Sequence, residues 1–363
     1  MSIEAIADGV ERLARRTGVF GEKPLSVLMI ANPSAGGFTR RRVYRRRLAE
    51  LEALLARAEA GPSGRAAPVA FSLALTERPG HAAELARAFA EAPAPSPDEE
   101  RLVVTAGGDG TSHEVLSALA VLPAELRARV TVLRLPMGTG NDGSDGRDLQ
   151  DALGRLVEPG GFIMTPCVRV VSADPSRPVH MAFNIASIGF DAFVAHLTNR
   201  LKSSMPGDSY KLLLDVMSVL YDRVFKVVPM GVRALGSGGR PVRELRRETL
   251  LVALGISGRR TYGSNKPILP DDDNACVIFQ MSLFQKLIRK GPIARGLHRG
   301  LPMADLFTAE RLEIDYDQKI LAQADGECWE LGPSDFPLVM ERSEPLVRTI
   351  RRADPPGAAG REP

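Results

Sequence analysis

The sequence predicts two domains, an α/β domain with a mostly parallel sheet and then a β-rich domain. Three observations lead to this fold class. The chain has 363 residues, and at about 100–200 residues per domain that length suits two. Up to about residue 160, apolar runs of strand length alternate with helical stretches, as βαβ units require. Beyond it, short strand-like segments follow one another with a single helical stretch among them, the texture of a second, β-rich domain.

The elements follow in order. Residues 1–20 read as a short helix or a loose arm. Leu25–Ala31 (LSVLMIA) is a continuous apolar run, as expected of a strand buried on both faces. A turn-rich loop, Asn32–Gly37, ends it, and a helix follows from Arg40 to Ala58. Val69–Leu75 is the second strand, leading through Thr76 to Gly80 into the helix HAAELARAFAEA. A Pro-rich loop at residues 93–97 precedes a third strand at Leu102–Thr105, a helix at Thr111–Ala120 and a fourth strand at Val130–Leu135. In the second half, strands are expected at 163–171, 179–187, 224–234, 249–257, 275–282 and 311–316, with a helix between Ala192 and Leu220. GSGGR at 236–240 reads as a hairpin tip, and the tail from Ala353 as disordered.

Composition narrows the function classes. An apolar content of 44% is too high for a disordered chain. The 47 basic and 44 acidic residues leave a net charge of +3, no argument for nucleic-acid binding. Cys167, Cys276 and Cys328 are scattered and odd in number, which excludes a disulfide scaffold and a zinc ribbon and suits a reducing compartment. No basic-then-apolar leader opens the sequence, and no run approaches 18 apolar residues. The expectation is a soluble, cytoplasmic protein.

Three loops at the carboxyl ends of strands carry the candidate chemistry, where open α/β sheets bind ligands. Asn32-Pro33-Ser34-Ala35-Gly36-Gly37 combines small residues with a following helix N-terminus, suited to an anion; a plain turn is the other reading. Gly107-Gly108-Asp109-Gly110-Thr111 leaves room for a phosphate against the backbone. Thr111 and Glu114 fit a capping box for the helix that follows. Asp109, in a glycine cradle, implies a shared cation or proton transfer, because a bare carboxylate repels phosphate. Pro136-Met137-Gly138-Thr139-Gly140-Asn141-Asp142 repeats the design, with Thr139 and Asn141 as side-chain donors. Three such loops together indicate a nucleotide-phosphate site.

NPSAGG, GGDGT with Glu114, and MGTGND, in this order and spacing, resemble the catalytic domain of the diacylglycerol kinase family, which includes bacterial lipid kinases, sphingosine kinases and ceramide kinases. The likeness continues through Asn184–Asp191 (NIASIGFD), Tyr262 to Asp273, and Asp325-Gly326-Glu327. It implies a parallel-sheet domain similar to NAD kinases and phosphofructokinases at 22–160, and a β-sandwich lipid-substrate domain at 161–330. It also implies a return segment at 331–350 that packs on the first domain, before a tail at 351–363, with the active site in the interdomain cleft. The implied activity is transfer of the γ-phosphoryl group of ATP, with Mg²⁺, to a lipid hydroxyl. Asn32 to Gly36, Thr76, Gly107 to Thr111, Glu114 and Gly138 to Asn141 would then hold ATP. Asp109 would be essential to transfer and to ATP-bound Mg²⁺, Glu327 the proton acceptor, Asp325 its catalytic neighbour, and Asp273 the support of a structural Mg²⁺.

Some positions depart from that pattern. His113 stands where Asn is usual, and Gly143-Ser144-Asp145-Gly146 replaces an aromatic and a small residue, which could loosen or reshape the nucleotide pocket. Pro270-Asp271-Asp272-Asp273-Asn274 shortens the acidic segment. Arg40–Arg47 holds six arginines in eight residues, and Arg289–Arg299 is also basic. These runs read as solvated helix faces, or as peripheral contacts with an anionic membrane surface. A homodimer stays open, and no nucleic-acid partner is expected. The rival readings are an NAD kinase, disfavoured by GTGND and DGE, and a regulator of the same fold that has lost activity.

Overall fold

The computed structural model describes residues 1–61, 64–138, 140–158, 160–201, 221, 223–262 and 266–352. The chain divides into two compact units, Met1–Thr165 with Pro345–Pro363, and Pro166–Glu344.

In the first unit the helices are α1 (Ile3–Ala14), α2 (Gly36–Thr39), α3 (Arg41–Glu59), α4 (His81–Glu91), α5 (Asp109–Ala120), α6 (Ala124–Arg127) and α7 (Leu149–Val157). Its strands are β1 (Leu25–Ala31), β2 (Val69–Leu75), β3 (Glu100–Gly107), β4 (Val130–Pro136), β5 (Gly160–Thr165) and, far along the chain, β19 (Val347–Arg352). They form one sheet in the order β2-β1-β3-β4-β19-β5. β1 to β4 are mutually parallel, and β5 closes the edge antiparallel to β19. β3 is buried along its whole length, as a central parallel strand covered on both faces must be. The register sets Ala31 opposite Leu75 and Ala106, and Gly107 opposite Pro136, so four strands end at one edge. α1 is no loose arm: Ile6, Val10 and Leu13 are fully buried in the core with Leu51 and Leu54 of α3. The first unit therefore starts ahead of residue 22.

The second unit holds β6 (Val168–Val171), β7 (His180–Ala182), β8 (Ile185–Gly189), α8 (Phe190–Leu201), β9 (Pro229–Leu235), β10 (Pro241–Gly255), β11 (Arg260–Tyr262), β12 (Lys266–Leu269) and β13 (Ala275–Phe279). A helix that the sequence patterns did not mark, α9 (Leu283–Ala294), follows. Then come β14 (Ala304–Phe307), β15 (Arg311–Asp315), β16 (Ile320–Ala324), β17 (Glu327–Leu331) and β18 (Leu338–Arg342). The pairing among the large strands is antiparallel throughout. β10 belongs to two sheets: residues 241–248 pair with β9, and residues 249–255 lie between β8 and β13. One buried core takes Val232, Leu312 and Met340 from the first sheet and Ile188, Val252 and Ala322 from the second, which makes this unit a sandwich. The unit runs past residue 330 to Glu344, because β18 pairs with β15 and β6; the chain returns at Pro345 rather than 331. The expected hairpin tip is present, with Gly236 and Arg240 bonded backbone to backbone at 2.8 Å. The expected helix to Leu220 and the tail lie mostly outside the described residues.

Candidate active site

The three loops expected to bind phosphate all leave the same edge of the first sheet and are braced against one another. Asn32 donates its backbone N–H to Ala106 O at 3.0 Å, and its side-chain amide lies 3.3 Å from Thr111 Oγ1. Its carboxamide oxygen accepts from Ser34 N–H at 2.9 Å, which holds the loop through Pro33 and Ser34 to Ala35 in a tight turn. Gly37 N–H reaches Met137 O at 2.8 Å, tying the first loop to the third. Gly108 and Gly138 touch backbone to backbone: a Cβ at 138 would stand 2.5 Å from Gly108 Cα, so only glycine fits there.

Asp109 begins α5, with Gly108 as its N-cap. Its Oδ1 accepts from Gly143 N–H at 3.1 Å, and a Cβ at Gly140 would come within 2.8 Å of Oδ2. Asn141, at φ +59°, accepts from Gly138 N–H at 2.7 Å and returns its amide to Gly138 O at 3.1 Å. The segment that departs from the family pattern is firmly built. Asp145 holds the Arg134 guanidinium at 2.7 Å and its backbone N–H at 2.7 Å, while Ser144 Oγ donates to Asn141 O and Gly146 O at 2.8 Å each. Thr139 lies outside the described residues.

The capping box expected at Thr111 and Glu114 does not form. α5 starts two residues earlier, so Thr111 is already inside the helix, buried beneath Gly107. Glu114 instead crosses to α4 and accepts from Gly80 N–H at 2.9 Å and Ala82 N–H at 3.2 Å. It caps a neighbouring helix N-terminus, where a carboxylate is favoured. Thr76, one residue beyond β2, is held by its N–H to Ala31 O at 2.9 Å. His113 Nε2 lies 3.4 Å from Ser117 Oγ, one turn along its own helix.

In the second unit, Asp325 and Gly326 are the central residues of a two-residue turn between β16 and β17, at φ +50° and +98°. Both positive values mark the hairpin turn that Asp-Gly favours. The Asp325 carboxylate is used internally, accepting from Phe183 N–H at 2.6 Å, Asn184 N–H at 2.9 Å and Ile185 N–H at 3.1 Å. It anchors the β7–β8 corner to the turn, a role that turn composition does not reveal. Gln323 braces the same place, accepting from Gly326 N–H at 2.9 Å and donating to Ser187 Oγ at 2.8 Å. Glu327, two residues on, is exposed at the start of β17. Burial pushes the Cys276 and Cys167 thiols above the ordinary range, so neither offers a thiolate nucleophile.

Asp273 does not sit in a vacant metal site. Arg299 bridges it and Asp271 with one guanidinium nitrogen on each carboxylate, both at 2.5 Å, and Thr308 Oγ1 donates to Asp273 at 2.9 Å. Asn274 is buried, its amide 2.9 Å from Ala309 O and its oxygen 2.9 Å from Ala309 N. An arginine already supplies positive charge between the two acids. Among the described residues, no group of three or more His, Cys, Asp or Glu could hold a metal. The segment does not fit a resident divalent cation.

The first unit is thus a parallel sheet with three cross-braced glycine loops at one edge, two of them bearing acids, Asp109 and Asp142. Residues 26–152 match the family described as the diacylglycerol kinase catalytic domain. A protein of Xanthomonas euvesicatoria named "Probable lipid kinase YegS-like" is 30% identical over 176 residues, 48% of this chain and 53% of that protein. One of the same name from Yersinia pestis is 33% identical over 113 residues, 30% of this chain and 35% of that protein. The chain thus spans about half the length, or less, of these relatives. A crystal structure of a diacylglycerol kinase from Bacillus anthracis shares the fold, with a TM-score of 0.53 at 16% identity, covering 89% of this chain and 96% of that one.

Proposed function

We propose that this chain is an ATP-dependent lipid kinase that transfers the γ-phosphoryl group to the hydroxyl of diacylglycerol or a related lipid. The reading is supported above all by Asp109, held by Gly143 N–H at 3.1 Å among the loops that leave one sheet edge. The loops at residues 32–36, 107–111 and 138–141, with Thr76, would hold the phosphates of ATP, which carry a divalent cation with them. Asp109 would orient that cation and the γ-phosphoryl group. Glu327, exposed and not spent on backbone groups as Asp325 is, would accept the proton of the lipid hydroxyl. A bond forms between the acceptor oxygen and the γ-phosphorus, the bond to the β-bridging oxygen breaks, and ADP leaves. Glu114 is better suited to capping α4 than to touching the nucleotide.

The test is incubation of the purified chain with γ-labelled ATP and Mg²⁺ against diacylglycerol, phosphatidylglycerol, ceramide, a sphingoid base, a prenyl alcohol and NAD. Label in a lipid product is expected, and Asp109→Asn and Glu327→Gln should each lower kcat at least about 100-fold with folding intact. Label in NADP alone, or in no product, would overturn the reading.

A further inference from the structure

α9 carries its apolar side outward. Ser282 and Gln285 form a capping box that starts the helix firmly, so its orientation is set from the first turn. Positions i, i+1, i+4 and i+5 share one side of a helix. Here they are Leu283, Phe284, Leu287 and Ile288, and all are exposed, Phe284 at 73% and Ile288 at 54%. The inward side instead takes Lys286, buried and 6.0 Å from the Tyr221 ring, and Ile293, packed on the core. A helix facing water does the reverse, burying leucine and exposing lysine.

The far end is equally set. Leu297 N–H bonds Pro292 O at 2.9 Å and Gly296 N–H bonds Ile293 O at 3.0 Å, with Gly296 at φ +71°, a Schellman termination. It presents Leu297, 59% exposed, beside the helix, while the next residue, His298, is buried with Nε2 3.0 Å from Ile268 O. Charge completes the surface: residues 274–304 contain no Asp or Glu, and they include Arg289, Lys290 and Arg295. Arg289 and Arg295 are exposed.

We propose that α9 with Leu297 docks this protein on an anionic lipid bilayer. Phe284, Leu287 and Ile288 enter the boundary between headgroups and acyl chains, and Arg289 and Arg295 meet lipid phosphates. The helix lies in the interface and does not span, since its 12 residues reach about 18 Å against a core of about 30 Å. Charge decides between occupants: a second copy on the same face would set basic rims against each other, whereas an anionic surface complements them. The Arg40–Arg47 run is less suited to this role. Arg47 is buried against Glu50 at 2.8 Å, Arg46 pairs with Glu50 at 3.0 Å, and Tyr44 points inward, which leaves charge without an apolar insert.

The proposal deepens the lipid-kinase reading and rests on it only for why a bilayer is visited. Sedimentation of the full chain with vesicles of phosphatidylcholine, alone or mixed with phosphatidylglycerol, measures docking without catalysis. Binding is expected to be about tenfold tighter, or more, to the anionic vesicles and to weaken with salt. Phe284→Asp with Ile288→Asp should abolish it at unchanged melting temperature and unchanged mass in solution, and the milder Phe284→Gln with Ile288→Gln should weaken it. Arg289→Glu with Arg295→Glu should remove the anionic preference. Wild-type vesicle binding by both apolar pairs, or a fall in oligomer mass without loss of vesicle binding, would overturn the proposal. Docking without phosphorylation of any lipid removes the kinase reading alone; phosphorylation with docking insensitive to α9 removes this proposal alone.

Discussion

Replacing Asp325 by Asn would ask one amide oxygen to serve three backbone N–H groups and would turn an NH₂ group toward at least one of them. The expected loss is about 1–3 kcal/mol in denaturant unfolding, the scale of an unsatisfied buried donor. Glu327→Gln, on the exposed side of the same turn, should stay within about 0.5 kcal/mol of the parent while losing turnover. A wild-type denaturation midpoint for Asp325→Asn would show that its three hydrogen bonds do not anchor the corner. Asp-Gly-Glu was legible as a turn and, by resemblance, as a pair of acids. The division between an anchor and an exposed acid was not, because Phe183, Asn184 and Ile185 lie about 140 residues away in sequence. Asp273 taught the same lesson, since nothing in PDDDN announces that Arg299 will fill the space between two of its acids.

Helix ends depend on neighbours as much as on their own residues. Glu114, read as the partner of Thr111, caps α4 because Gly108 had already taken the N-cap position of α5. Glu114→Ala should therefore destabilise the protein by about 0.5–2 kcal/mol. Amide hydrogen exchange should quicken first at Gly80–Ala82, not at the start of α5; protection of 80–82 equal to the parent's would refute the assignment. The strands of the first unit were legible because each is an apolar run ending in glycine-rich punctuation. α9 was not, since its leucines and its Phe284 face outward and Pro292 interrupts its pattern. Periodicity identifies an apolar face but cannot say what covers it.

At the scale of the molecule, the first unit is assembled from two distant stretches of chain, with β19 inserted between β4 and β5. Arg348 ties the insertion down, pairing with Glu100 and donating to Thr131 Oγ1 at 2.7 Å, while its guanidinium lies 4.3 Å from the Phe162 ring. A chain ending at Glu344 leaves β5 without its only strand partner among the described residues and opens the edge of β4. It should lose cooperative unfolding of the first unit, read by calorimetry; an unchanged transition would show β19 to be dispensable. The alternation of strand and helix made most of this sheet readable, but no periodicity in VRTIRR names β4 and β5 as its neighbours.

The insertion also sets an order of events during synthesis. Roughly 180 residues of the second unit are made between β5 and β19, about 10–40 s at 5–20 residues per second. Through that interval the exposed side chains of Phe162, Ile163 and Met164 sit on a strand whose backbone partner does not yet exist. The β-sandwich can close while the first sheet is still waiting for its sixth strand. A ribosome that stalls before residue 347 would release a chain with a finished second half and an unfinished first, exposing an edge that chaperones and proteases recognise.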